Sequence, residues 1–459
     1  MHPLLIVGSG LAGYTLLKEF RKRDLDTPVT LITADDGAFY SKPNLSNALA
    51  AGKAAAALAS AGVDKMAADL RATILSHTRV TALDTRGQRL RTADAEFPYG
   101  RLVLALGADP YAHGLAGSGA GAVMAVNDLA DYGRFRESIV GKKRIVVLGG
   151  GLIGCEFAND LAASGYHVSV IHLGAWPLER LLPMEAGKRL ADSLAALGVR
   201  WHFARNAKSV DTTADGLRIT LDNGETLPAD VVLSAIGLKP RIQLAAAAGI
   251  PVNRGIQTDR FLETGAANVY ALGDCAEVDG KVLPYVQPLM VQARALAATL
   301  TGSPTPVVYP AMPVMVKTPA HPVAVLPPPA GTEGGWKVEC SDTGVCALHV
   351  DAGGRLQGFA LTGSETARRN TLAKEIAAPR RADYTGRMNA LCLESTLTCP
   401  HCGHVEVLTM PTDACQWYHE CPACRALLKP KPGDCCVFCS YGTVPCPPVQ
   451  AAGRGGCCG

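Results

Sequence analysis

Cysteine is distributed very unevenly along this chain of 459 residues. Cys155, Cys275, Cys340 and Cys346 are scattered over the first 391 positions, and the other twelve of sixteen lie between Cys392 and Cys458. Cys399-Pro-His-Cys402 and Cys421-Pro-Ala-Cys424 are two CxxC pairs separated by eighteen residues. That spacing suits one tetrahedral four-thiolate site, with zinc in a ribbon as the first expectation, rubredoxin-like iron as the second and redox disulfides as the remaining alternative. His401, His404 and His419 are nearby nitrogens, read as loop residues rather than ligands. Downstream, Cys435, Cys436, Cys439 and Cys446 form a denser set. Vicinal cysteines bridge one another only with strain, so Cys435 and Cys436 are expected to have different partners. These four are read as thiol-redox or soft-metal candidates, with a second closed metal site as the competing reading. Cys457 and Cys458 form a further vicinal pair in a Gly-rich end, and join the same candidates.

Glycine carries the other chemistry. Leu4 to Val7 reads as a short buried strand, followed by Gly8-Ser9-Gly10-Leu11-Ala12-Gly13, a helical stretch and a second apolar strand, Val29 to Ile32. The pattern recurs at Arg144 to Leu148, Gly149-Gly150-Gly151-Leu152-Ile153-Gly154 and Val168 to Ile171. Strand, GxGxxG, helix, strand is the frame of a dinucleotide site, with the pyrophosphate on the helix N-terminus. Two such frames imply two dinucleotides, most economically a flavin in the first and a nicotinamide cofactor in the second. Val269 to Cys275 supports this, because an apolar strand ending in Gly273-Asp274 can offer a carboxylate to the ribityl chain. Gly237 ends another apolar strand where the chain crosses between the two units.

These motifs need a large α/β body to position them. The length suggests roughly three domains at ~100–200 residues each. Hydrophobic residues make up 48% and charged residues 19%, which excludes a largely disordered chain. The net charge is only +3, so neither a nucleic-acid binder nor a membrane-surface binder is expected. Met1-His2-Pro3 carries no basic leader and no stretch reaches bilayer length, so the cytoplasm is the expected compartment.

The body resembles the rubredoxin–NAD reductase family of flavoproteins. The match rests on Tyr40-Ser41-Lys42-Pro43, Gly151 to Asn159, Tyr270 to Cys275 and Val316-Lys317-Thr318-Pro319, in order over roughly residues 1–378. The resemblance implies two nested Rossmann-like domains: FAD on 1–110 and 238–310, NAD(P)H on 111–237. A small α+β domain on 311–378 and rubredoxin, or a similar one-electron acceptor, as partner are implied as well. It also implies Lys42, Glu156 and Lys317 as catalytic residues, with Glu156 near the nicotinamide–flavin contact and pairing with Lys42. Ser9, Leu11, Ala12, Thr33, Ala34, Pro43, Val80 and Val286 are implied as further cofactor contacts. One departure is informative: Tyr14 to Ser46 contains no cysteine, so the CxxxxC dithiol of related disulfide reductases is missing. The second unit offers His172-Leu173-Gly174 where an acid or cation would choose the nicotinamide. With no arginine following until Arg180, NADH is the favoured donor.

The polar stretch 379–390 reads as a linker, 391–450 as a zinc-ribbon or rubredoxin-like module, and 451–459 as a flexible end. Gly433-Asp434-Cys435-Cys436-Val437-Phe438-Cys439 resembles the module named for its GDCCVxC motif, whose members include selenoproteins. Cys457-Cys458 is similar to the C-terminal pair of mercuric reductases. Two other functions therefore stand beside the reductase: a mercury- or arsenic-binding protein whose flavin domain keeps tail thiols reduced, and a reductase with a zinc-ribbon adaptor.

Overall fold

The structure, a computed structural model, describes residues 3–377, 393–411, 416–431, 434–444 and 446–447. The linker 379–390, Gly433, Cys457 and Cys458 lie outside the described residues. The chain divides into two compact units, Met1–Ala378 and Pro379–Gly459.

The first unit contains the same nucleotide fold twice. In the first copy β1 (Leu4–Val7), α1 (Leu11–Arg21), β2 (Val29–Ile32), β3 (Thr73–Leu75) and β4 (Arg101–Leu104) follow in order. The second copy adds β5 (Met124–Ala125), β6 (Arg144–Leu148), α2 (Leu152–Ala163), β7 (His167–His172), β8 (Arg200–Phe203) and β9 (Val231–Ser234). The chain then returns to the first sheet with β10 (Val269–Ala271) and the helix α3 (Val286–Leu300). The strand orders are β10-β4-β1-β2-β3 and β5-β9-β6-β7-β8, all parallel. Each glycine-bearing strand, β1 or β6, is thus central. Strands buried on both faces of a parallel sheet must be apolar throughout, and β1 is fully buried at all four positions. In each copy a three-stranded antiparallel sheet is inserted in sequence between two parallel strands, Ala82–Pro98 between β3 and β4 in the first and Ala207–Ala229 between β8 and β9 in the second. The two crossings between copies run side by side, Ala108–Pro110 pairing antiparallel with Leu238–Pro240.

The remaining body is one antiparallel sheet of β11 (Val314–Val316), β12 (Val323–Leu326), β13 (Gly335–Cys340), β14 (Val345–Val350) and β15 (Leu356–Thr362), in the order β11-β12-β15-β14-β13. The helix α4 (Arg369–Ala377) follows it. Val316, Val323, Val325, Val345 and Ala347 share a core with Ile145, Val147, Ala158 and Leu161 of the second copy. Burial of such side chains, at about 1.5–3 kcal/mol each, fixes this sheet against the second copy.

In the second unit β16 (Glu394–Thr398) pairs with β17 (Val405–Thr409), and β18 (His419–Glu420) pairs with β19 (Leu427–Leu428). A short helix α5 (Val437–Tyr441) completes it. Among the described residues no helix is long and apolar enough to cross a membrane.

Candidate functional site

The two glycine motifs agree in atomic detail. A Cβ on Gly13 would lie 1.9 Å from the Gly8 carbonyl oxygen, and one on Gly154 would lie 1.9 Å from that of Gly149. The last glycine of each motif is therefore required for helix-to-strand approach. The middle glycines do the opposite. Gly10 and Gly151 have nothing within 4 Å of an added Cβ, and they start α1 and α2 with no side-chain cap and no acid in the first turn. Open space in front of uncapped N–H groups is what a pyrophosphate fills. The residues of each copy thus fit the pyrophosphate of a dinucleotide such as FAD or NAD(P)H.

Around the first motif, Ser9 and Thr33 hydroxyls both donate to Asp35 at 2.6 Å, and the Gly37 N–H donates to the same oxygen at 3.0 Å. Asp35 itself is exposed, as is Ala34 beside it. This acid, about twenty residues past the glycines, is where a ribose hydroxyl would be met. Leu11, Ala12 and Val80 pack on the first-copy core, and Val286 opens α3 with its side chain exposed. The Gly273 N–H donates to Gln292 Oε1 at 2.8 Å, and Gly273 sits against Ala12. Asp274 is thereby held near the start of α1. Burial raises its pKa, and the Lys42 charge opposes that shift. Lys42, opening the turn Lys42–Asn47, donates from Nζ to Asn127 Oδ1 at 2.7 Å, and Asn127 Nδ2 donates to the Ala108 carbonyl at 2.9 Å. Burial lowers the Lys42 pKa, with Asp274 pulling the other way. Gly237 lies at the crossing with φ +113°.

Glu156 is fully buried on α2, one turn in from its start, and its partner is Lys317, at 3.0 Å, rather than the expected Lys42. Glu156 Oε1 also accepts the Lys317 backbone N–H at 2.9 Å, and Ser46 Oγ donates to Oε2. Lys317 Nζ donates in addition to the Pro43 carbonyl and to Ser46 Oγ. The same face of α2 continues at i+3 and i+4: Asn159 Oδ1 accepts the Ala320 N–H at 3.1 Å, and Asp160 accepts those of Leu49 and Ala50 at 3.0 and 2.9 Å. One helix face therefore ties the first copy, the second copy and the small sheet together beside Lys42 and Pro43. In the second copy His172 Nδ1 accepts the Gly150 N–H at 3.1 Å. With Nδ1 accepting, the ring proton sits on Nε2 and faces the Trp176 carbonyl at 3.1 Å, and burial lowers the His172 pKa.

In the second unit each CxxC occupies the turn of one hairpin. The N–H of Gly403 bonds back to the Cys399 carbonyl, and that of Arg425 to the Cys421 carbonyl, both at 2.9 Å. Both residues have positive φ, +73° and +57°, a conformation natural to glycine and strained by about 1 kcal/mol or more at arginine. Cys399–Cys424 and Cys402–Cys421 Sγ atoms are each 3.7 Å apart, and all four lie within 4.8 Å of one another. A tetrahedral ion with metal–sulfur bonds near 2.3 Å requires sulfurs about 3.8 Å apart, so the set fits a metal. Burial pushes the Cys399 thiol up, but backbone N–H groups of His401 and Cys402 bring it down to about 7. His419 is engaged with Glu406 at 2.6 Å instead of joining the set. Cys435, Cys436, Cys439 and Cys446 also converge within 4.8 Å. The vicinal pair does not have separate partners: Cys435 and Cys436 both contact Cys439, at 3.4 and 3.6 Å.

The repeated nucleotide fold, the uncapped motifs and the lysine–glutamate junction define a flavin- and nicotinamide-binding oxidoreductase. Residues 2–297 match the pyridine nucleotide-disulphide oxidoreductase family, and residues 306–376 match the rubredoxin binding C-terminal domain. The rubredoxin–NAD(+) reductase of Alcanivorax borkumensis is 50% identical over 379 residues, covering 82% of this chain and 99% of that protein. That of Acinetobacter baylyi is 46% identical over 385 residues, covering 82% and 98%. Among solved structures, the covalent putidaredoxin reductase–putidaredoxin complex has a TM-score of 0.76 at 25% identity, covering 82% of this chain and 93% of that one. The chain belongs to the rubredoxin–NAD(+) reductase family of flavoproteins.

Proposed function

We propose that this protein oxidises NADH and passes the electrons singly, through FAD held by the first nucleotide copy, to rubredoxin or a rubredoxin-like acceptor. The observation that carries this reading is the junction of Lys317 with Glu156, Ser46 and Pro43. It places a lysine from the domain matching the rubredoxin-binding family against both nucleotide copies. A bound flavin would accept a hydride from the nicotinamide and release its two electrons one at a time. The chain's own residues orient and stabilise. Lys42 and Lys317 supply positive charge where negative charge would develop, in surroundings that burial makes poorly screening. Glu156, Asn159 and Asp160 hold the three domains in register. The absence of cysteine between Tyr14 and Ser46 supports direct exit to a docked acceptor over relay through a dithiol. NADH is favoured over NADPH by Glu179, whose carboxylate accepts the Ala175 N–H at 3.0 Å just after β7. A carboxylate there would repel a 2′-phosphate.

The tetrad Cys399, Cys402, Cys421 and Cys424 is proposed to hold zinc. Two hairpin knuckles closing on one centre support a structural ion. Iron in its place would make the second unit a fused acceptor, and visible absorption beyond the flavin bands separates the two. NADH-dependent reduction of a purified rubredoxin tests the reaction; turnover with artificial acceptors alone would oppose it.

A further inference from the structure

The reductase reading leaves Cys435, Cys436, Cys439 and Cys446 without a role. We propose that these four cysteines form a second tetrathiolate metal site, separate from the CxxC tetrad and taking a soft divalent ion such as zinc.

The geometry is that of one centre rather than two redox pairs. Cys435 lies 3.4 Å from Cys439 and 3.5 Å from Cys446, Cys436 lies 3.6 Å from Cys439, and Cys439 lies 3.7 Å from Cys446. Every sulfur lies within 4.8 Å of every other, so no pair stands apart from the rest. These four sulfur–sulfur distances approach the roughly 3.8 Å separation that tetrahedral zinc imposes on sulfur ligands. Among the described residues no two cysteines are joined as a disulfide.

Local structure explains how a vicinal pair reaches one ion. Cys436 is the extended residue preceding α5, with φ −160° and ψ 172°, and Cys439 is the third residue of that helix. Those two positions face one another across a first helical turn, as they do in a capping box. Cys435 and Cys446 close the set from the two flanking segments. Cys436, Cys446 and Cys435 are 0%, 2% and 8% exposed, and only Cys439 is half-buried. A redox thiol must be reached by its partner, and three of these four cannot be. Val437 and Phe438 between them are buried in the same core as Cys399 and Cys421. A module this small gains its folding free energy from ligation more than from area. Ion binding would release the protons of the four thiols, forming four metal–sulfur bonds with no change of oxidation state.

The test is the metal content and coordination of the full-length protein, purified in reducing buffer and reconstituted with zinc. The proposal expects two metal equivalents per chain, zinc plus any iron, and an X-ray absorption spectrum with four sulfur neighbours and no nitrogen or oxygen. Cobalt titration should likewise saturate at two equivalents of tetrahedral thiolate absorption. The Cys435→Ser/Cys439→Ser double variant should bind one equivalent fewer. Should that variant unravel and lose both ions, the two equivalents of the unmodified protein still stand. A single equivalent in the unmodified chain would overturn the proposal. So would disulfides among these four cysteines that NADH reduces.

Discussion

Lys317 and Glu156 meet at 3.0 Å across 161 residues of sequence, with Glu156 fully buried and Lys317 30% exposed. The lysine gives this carboxylate both its ammonium and its backbone N–H, so the pair orients as well as neutralises. Lys317→Met leaves a buried carboxylate uncompensated. The loss of stability should be roughly 2–4 kcal/mol, below the full value for a buried pair because Lys317 is partly solvated. Adding Glu156→Gln should restore part of it, which thermal unfolding of the single and double variants will read.

Lys42 should govern the alkaline limb of flavin reduction. Burial lowers its pKa, so its charge is lost at a lower pH than the ordinary 10.5 of lysine. The rate of flavin reduction by NADH should fall as that proton leaves. Lys42→Met should retain FAD, reduce slowly at every pH and show no such limb. Stopped-flow rates across alkaline pH check this, and an unchanged profile would remove Lys42 from the chemistry.

The glycines separate packing from ligand binding. Gly10→Ala meets nothing within 4 Å and has an ordinary φ of −63°, so the apoprotein should melt like the unmodified one. Its affinity for FAD should drop at least about tenfold, since the methyl stands where the pyrophosphate approaches. Gly13→Ala, forced against the Gly8 carbonyl, should lose about 1–3 kcal/mol of stability as well. Calorimetry with and without FAD distinguishes the two.

Acid stability should depend on Asp230. Its carboxylate accepts from Arg144 Nη2 at 2.6 Å and from the Lys143 and Arg144 N–H groups, and the Arg144 side chain leads in holding its pKa well below the usual 3.8. A depressed carboxyl pKa adds stability above the unfolded value and loses it as pH falls through the folded one. Asp230→Asn should therefore be less stable than the unmodified protein at pH 7, with the gap closing below about pH 4. Denaturant midpoints across that range measure it.

Both nucleotide copies were legible because each glycine motif sits between an apolar strand and a helix, a purely local pattern. Lys42 and Lys317 were legible only through the resemblance, since nothing in their neighbourhood marks a lysine as buried. Their partners were not legible. Ser46, Asn127 and Asp160 act across 85 to 271 residues of chain, and short polar side chains carry no signal until the fold brings them together. Asp35 could have been found from its spacing after the first motif. The expected pairing of Glu156 with Lys42 fails because Asn127 already occupies the Lys42 ammonium, while the end of β11 delivers Lys317 to the carboxylate. The shared partner of Cys435 and Cys436 depended on a helix starting between them and Cys439.

The second unit should be dispensable for the flavin chemistry. The chain cut after Ala378, where the first compact unit ends, should bind FAD and oxidise NADH with an artificial acceptor at the full-length rate. Loss of flavin from that fragment would contradict this.

The most direct measurement mixes the NADH-reduced full-length protein with oxidised rubredoxin, without oxygen, and follows the iron absorption of the acceptor. The account predicts two rubredoxins reduced for each NADH, because a hydride carries two electrons and the acceptor takes one, with a marked slowing in Lys317→Met. An acceptor that stays oxidised while the same protein reduces an artificial dye would contradict it.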